Sequence, residues 1–205
     1  MKEERILSLD MSSKTGYALL VSDGPDIRLE SFGQIPQIHE PTEFPYPESF
    51  IDWAYQCYGK ILEIIKQTAP TVLVIEETSA GSKGVYTQKI LEWIHFLVAK
   101  FIKETKIKAV YIMSEQWRRE VGCKMSKEES KHNKQVRDYK KKNKTKIAYD
   151  ENGKRIGRLT RKHVNIRRAN EVFGKFFDEP LKKKHEDLCD ALLLGYAYYL
   201  RTHGK

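Results

Sequence analysis

Residues 71–77, TVLVIEE, constrain the fold more than any other stretch of the 205-residue chain. An unbroken aliphatic run ends there in two glutamates. A strand without apolar–polar alternation has to be covered on both faces, and such strands belong to parallel sheets flanked by helices. A second run, KAVYIM at 108–113, follows a long helical stretch. The two make a strand–helix–strand unit, whose strands lie parallel in one sheet. Upstream, RILSLD (5–10), YALLV (17–21) and IRLESFGQI (27–35) read as three strands of an antiparallel meander. The spacing predicts helices over about 49–67, 85–103, 114–122 and 160–174, and a last one from about residue 185. The fold class is therefore α/β: a mixed five-stranded sheet, three antiparallel strands and then parallel ones, with helices on both faces. One domain is expected over 1–205.

Charge is unevenly spread. The net is +9, yet residues 124–162 alone hold 15 Lys or Arg against 5 Asp or Glu. The remainder is nearly neutral, so a basic insertion at about 123–159 carries the surplus and points to an acidic partner such as nucleic acid. Its centre, YKKKNKTKIAYDENGKRIG, shows no helical period and contains a turn signal, so a mobile hairpin or partial disorder is expected. No apolar run approaches the ~18 residues of a membrane span, and MKEERILSLD lacks the apolar core of a signal peptide. Cys57, Cys123 and Cys189 are odd in number and have no CxxC spacing, which argues against disulfides or zinc and for a reducing compartment. Cytoplasmic or nucleoid-associated placement follows as the expectation, in a host cell if the protein is viral.

Acidic residues interrupt apolar elements at three distant places. Asp10 ends the first strand, Glu76 and Glu77 end the fourth, and Asp187 and Asp190 lie one turn apart at the start of the last helix, directly before ALLLG. Alternation lets only one of Glu76 and Glu77 enter a shared cleft, and Glu76 is the better candidate. Converging carboxylates repel unless cations hold them, and an all-oxygen donor set selects Mg²⁺ or Mn²⁺. Two such ions can clamp an attacking water and a leaving oxygen across a phosphodiester. Asp10, Glu76, Asp187 and Asp190 are thus the expected catalytic and metal-binding set. Lys83, Lys89, Arg118, Arg119, Arg161, Arg167 and Arg168 flank these places, and Lys140, Lys141 and Lys142 lie in the basic insertion; all are candidates for phosphate contacts. Trp53, Trp93, Phe96 and Trp117 read as core.

The three motifs ILSLDMSSKTGYALL, VLVIEE and HEDLCDALLLGYAYY resemble, in order and approximate spacing, those of the RuvC-type Holliday-junction resolvases of the RNase H-like superfamily. WRREVG and RKHVNIRRANEVFG are similar to the helices that precede the family's last motif. The first turn, MSSKTG, departs from the family's glycine-containing turn, and the basic insertion is longer than in cellular members, which fits a phage or viral branch. The resemblance implies a homodimer that binds four-way DNA junctions and makes paired symmetric nicks with two Mg²⁺ ions per site. It also implies that a lysine at the start of the penultimate helix, Lys162 here, assists catalysis, and that an aromatic wedge follows the second motif, where Tyr86 is the nearest candidate. Two alternatives stay open from the residues themselves: a related nuclease acting on flaps, hybrids or other branched substrates, and a catalytically inert nucleic-acid-binding protein.

Overall fold

The computed structural model describes residues 3–11, 14–36, 44–77 and 85–204, the last without the side chains of 85–87. Strands β1 (Glu4–Asp10), β2 (Gly16–Asp23) and β3 (Asp26–Gln34) form the antiparallel meander; β4 (Val72–Glu77) and β5 (Lys108–Met113) add in parallel, in the order β3-β2-β1-β4-β5. The mixed five-stranded sheet expected from the sequence is the sheet observed.

Two apolar layers sandwich it. Ile6, Val72 and Val74 face one side, with Leu188, Leu192 and Leu193 of α6 (Glu186–His203) and Trp117 of α3 (Ser114–Glu120). Leu7, Leu9, Leu73 and Ile75 face the other, against α1 (Glu48–Thr68) and α2 (Val85–Thr105). The odd–even split along β1 and β4 is the two-residue period of a strand made visible. α6 lies directly on the sheet: the buried Ser8 hydroxyl donates to the carbonyl of Ala191 at 2.7 Å. α5 (Arg161–Phe173) packs beside α6. Cys57, Cys123 and Cys189 form no disulfide.

Two expectations need correcting. Trp117 is fully buried, but Trp93 and Phe96 are 41% and 62% exposed. Both lie on the outer side of α2, where, with the exposed Tyr46, they line an open groove of about 610 Å³. Aromatic character alone does not say which face of a helix is covered, and here the two-helix layer leaves the outer face of α2 open.

The basic stretch holds the hairpin expected at its DENG turn, but a helix the sequence did not suggest precedes it. The stretch folds as α4 (Lys127–Lys142) followed by a short antiparallel hairpin, β6 (Ala148–Tyr149) with β7 (Arg155–Ile156). α4 starts on a capping box in which Ser126 and Glu129 satisfy each other's backbone amides. Val136 and Ala148 are fully buried between helix and hairpin. The Asn133 amide donates to the carbonyl of Leu159 at 2.9 Å and accepts from its N–H at 2.7 Å, closing the arm at its base. Arg167 of α5 then ties it down through Glu129 at 3.0 Å and the carbonyl of Lys124 at 2.8 Å.

Candidate active site

β1 and β4 run parallel with Leu9 opposite Ile75, so Asp10 and Glu76 come next, side by side. Both belong to the alternation set that faces α6. Glu77 belongs to the opposite set and is exposed. The last helix is brought to the same place by a glycine. Gly16 pairs with Asp10 across β1 and β2, and a Cβ there would lie 2.1 Å from the carbonyl oxygen of Asp187. Only a residue without a side chain lets the first turn of α6 rest on the strand beside Asp10.

Asp187 accepts a weak bond from Gln34 Nε2 at 3.4 Å, and Glu76 accepts one from Trp117 Nε1 at 2.8 Å. Asp190 accepts from Asn165 Nδ2 at 2.8 Å and lies 3.6 Å from the Arg118 guanidinium. Burial pushes the Asp190 carboxyl up from its ordinary 3.8 to about 6; Arg118 and Asn165 pull it down, and the carboxylates of Glu76 and Asp187 push it further up. The helix N-terminus partly offsets that crowding.

Lys162 Nζ sits 2.5 Å from Glu186 Oε1. Burial works against its charge, but Glu186, then Asp187 and Asp190, hold its pKa above the ordinary value. Lys162 and Asn165 lie three residues apart on α5, as do Asp187 and Asp190 on α6, so the first turns of the two helices meet edge to edge over the acids.

No protein-family profile matches the chain, and no curated protein matches it by sequence. Solved structures do match. RuvC of Thermus thermophilus in complex with a Holliday junction substrate aligns over 98% of this chain and 97% of its own, at 12% identity and a TM-score of 0.60. The Thermus thermophilus RuvC structure gives a TM-score of 0.58 at 12% identity over 97% and 96% of the two chains. The yeast mitochondrial Holliday junction resolvase Ydc2 aligns over 98% and 82%, at 12% identity and 0.51. The chain has the RuvC-like resolvase fold.

Within this RuvC-like fold the donor set fits a hard divalent cation. Its donors are carboxylate oxygens, and two further oxygens beside them, Asn165 Oδ1 and Glu186 Oε2, are buried without a hydrogen-bond partner, as is Arg118 Nε. The side chains do not close into a coordination shell as they stand: among the described residues no three His, Cys, Asp or Glu groups cluster tightly enough to hold a metal ion.

A cavity of about 290 Å³ adjoins Asp190 between α3 and α5, walled by Arg118, Arg119, Lys124 and Arg161, with Asn165 at its side and Glu115 the acid among its lining residues. Three of the expected phosphate-contacting arginines therefore share one pocket. Others are placed elsewhere. Arg167 is committed to Glu129 and Glu171. Lys89 donates to the Tyr46 hydroxyl at 2.6 Å in the aromatic groove. Lys140, Lys141 and Lys142 form the last turn of α4, out on the arm. Lys83 and the side chain of Tyr86 lie outside the described residues.

Asn165, Gln34 and Glu186 belong to the site beyond the residues expected from the sequence. Asn165 had a usable signal, an amide with Arg161, Lys162 and Arg168 one turn away on the helix that precedes the last acidic motif. Glu186 was in view within HEDLCD. Gln34 had none, because its position depends on the β2–β3 register.

Proposed function

We propose that the chain is a divalent-cation-dependent endonuclease that resolves four-way DNA junctions by paired, symmetric nicks. What supports this reading is that Asp10 and Glu76 end neighbouring strands and that the first turn of α6, carrying Asp187 and Asp190, rests against Gly16 beside them, at one end of a RuvC-like sheet next to a cationic cavity. The junction as substrate is supported by what the similar Thermus thermophilus structure holds. The four carboxylates would hold two Mg²⁺ ions, with Mn²⁺ as a substitute. Bound there, such ions supply charge stabilisation for the attacking water and the departing 3′ oxygen of a phosphodiester.

The chain's own residues have separate tasks. Asn165 and Arg118 fix both oxygens of Asp190. Trp117 orients Glu76. Lys162, kept charged by Glu186, faces the scissile phosphate and balances its charge. Arg118, Arg119 and Arg161 take neighbouring phosphates in the cavity. Symmetric nicking needs two such sites, and we assign dimerisation to the exposed aromatic face of α1 and α2. Lys89 and Glu92 lie in the same groove there, so a two-fold contact would be self-complementary.

A nicking assay on a synthetic four-way junction tests the reading. Cleavage that requires Mg²⁺ or Mn²⁺ and disappears in Asp10→Asn is the expected result. Cleavage unaffected by that substitution, or confined to flaps, hybrids or single strands, overturns it.

A further inference from the structure

The tip of the basic arm has a character that phosphate binding alone does not explain. Ala148 is fully buried against α4, and its chain neighbours Ile147 and Tyr149 face outward, 37% and 41% exposed. Tyr149 is braced from behind by Tyr139, edge to face at 6.3 Å. The turn that follows is stiff: the Asp150 carboxylate accepts from the amides of Asn152 and Lys154 at 3.0 and 2.9 Å, and Gly153 takes the φ of +73° that the turn requires. The exposed cations Lys144, Lys146, Lys154 and Arg155 surround the pair, and Arg155 is the register partner of Tyr149.

An exposed aromatic and an aliphatic on a rigid two-stranded tip, ringed by cations, match a base step flanked by phosphates. Two apolar side chains are too little for a lipid surface. Resting on the reading above that branched DNA is the substrate, we propose that the β6–β7 hairpin is a wedge. It lays Tyr149, with Ile147 beside it, against a base unstacked at the branch, while the four cations meet the adjoining phosphates.

The experiment uses the full chain, without divalent cation, on a four-way junction carrying 2-aminopurine at the branch point. Wild type is expected to raise the fluorescence several-fold, as the base leaves its stack. The Ile147→Ala/Tyr149→Ala variant, with an unchanged melting curve, should lose that rise, bind the junction about tenfold more weakly and lose its preference for junction over uninterrupted duplex. Tyr149→Trp should restore the rise. An undiminished rise in the double variant overturns the wedge. So does a flat signal from wild type that binds and, with Mg²⁺, cuts the junction; in that case the nuclease reading stands. Wild type that binds no branched DNA overturns both.

Discussion

The acidic end of the sheet and the basic arm both concentrate charge of one sign, and they are built in opposite ways. The acids are assembled from residues up to 180 positions apart, on strand ends and a helix turn that are placed by the buried core. Their charge is only partly offset: burial first, then Glu76 and Asp187, raise the carboxyl of Asp190 against the pull of Arg118 and Asn165, and Asn165 Oδ1 and Glu186 Oε2 are buried without a hydrogen-bond partner. The arm is local. A capping box, an amide clamp, two buried side chains and the tie from Arg167 hold it, and its lysines fan into solvent, where repulsion is weak. Buried like charge calls for a counter-ion at a defined place. Exposed like charge calls only for an extended anion.

The contrast breaks most sharply at the acids. Asp187→Asn should reduce cleavage on the order of 10³-fold, the scale of several kcal/mol of lost charge stabilisation, with junction affinity held within a few-fold in a gel-shift assay. Gly16→Ala comes next. Its methyl group meets the Asp187 carbonyl, so α6 must shift, with an expected loss of about 1–3 kcal/mol in denaturant unfolding together with most of the activity. The same change at Gly157, where a Cβ meets nothing within 4 Å, should leave both unchanged.

The pH dependence sharpens the comparison. A carboxyl raised from 3.8 to about 6 binds more protons folded than unfolded between those values. Its contribution is fully present below pH 4 and lost as the pH rises through about 6, by up to ~1.4 kcal/mol per pH unit. In chelator, Asp190→Asn should flatten that decline in the unfolding curve. Mg²⁺ should stabilise wild type above pH 6 and leave Asp190→Asn nearly untouched. On the arm, replacing Lys140, Lys141 and Lys142 by Ala should lower junction affinity and make its salt dependence shallower by about 2–3 in log–log slope, with the single-turnover cleavage rate preserved. The smallest effect is expected from Asn133→Leu. It should open the base of the arm to hydrogen exchange while shifting the global melting midpoint only slightly, because the arm adds little to the main core.

What was legible in the sequence follows the same division. β4 announced itself because a strand buried on both faces has no polar positions, and Asp10 and Glu76 stood out against such runs; β5 shares the apolar run but is the sheet's edge, where of its six residues only Ile112 is buried. Asp187 and Asp190 stood out against ALLLG for the same reason. α4 was missed because burial of Val136 alone leaves almost no period, although the spacing of Ser126 and Glu129 marks its start. Trp93 and Phe96 misled because aromatic content does not say which side of α2 is covered. The roles of Gln34 and of Glu186 as the partner of Lys162 depend on register and helix docking, and neither is written in local pattern.

α5 joins the two regions. One side of this 13-residue helix, about 20 Å long at 1.5 Å per residue, presents Lys162 and Asn165 to the acids; another presents Arg167 to the arm's Glu129 and Arg168 to the carbonyl of Val121, at 2.6 Å. The helix is thus a shared girder. Under the function proposed above, any displacement of the arm's Glu129 would act on the same short rod that holds the Asn165 amide on Asp190.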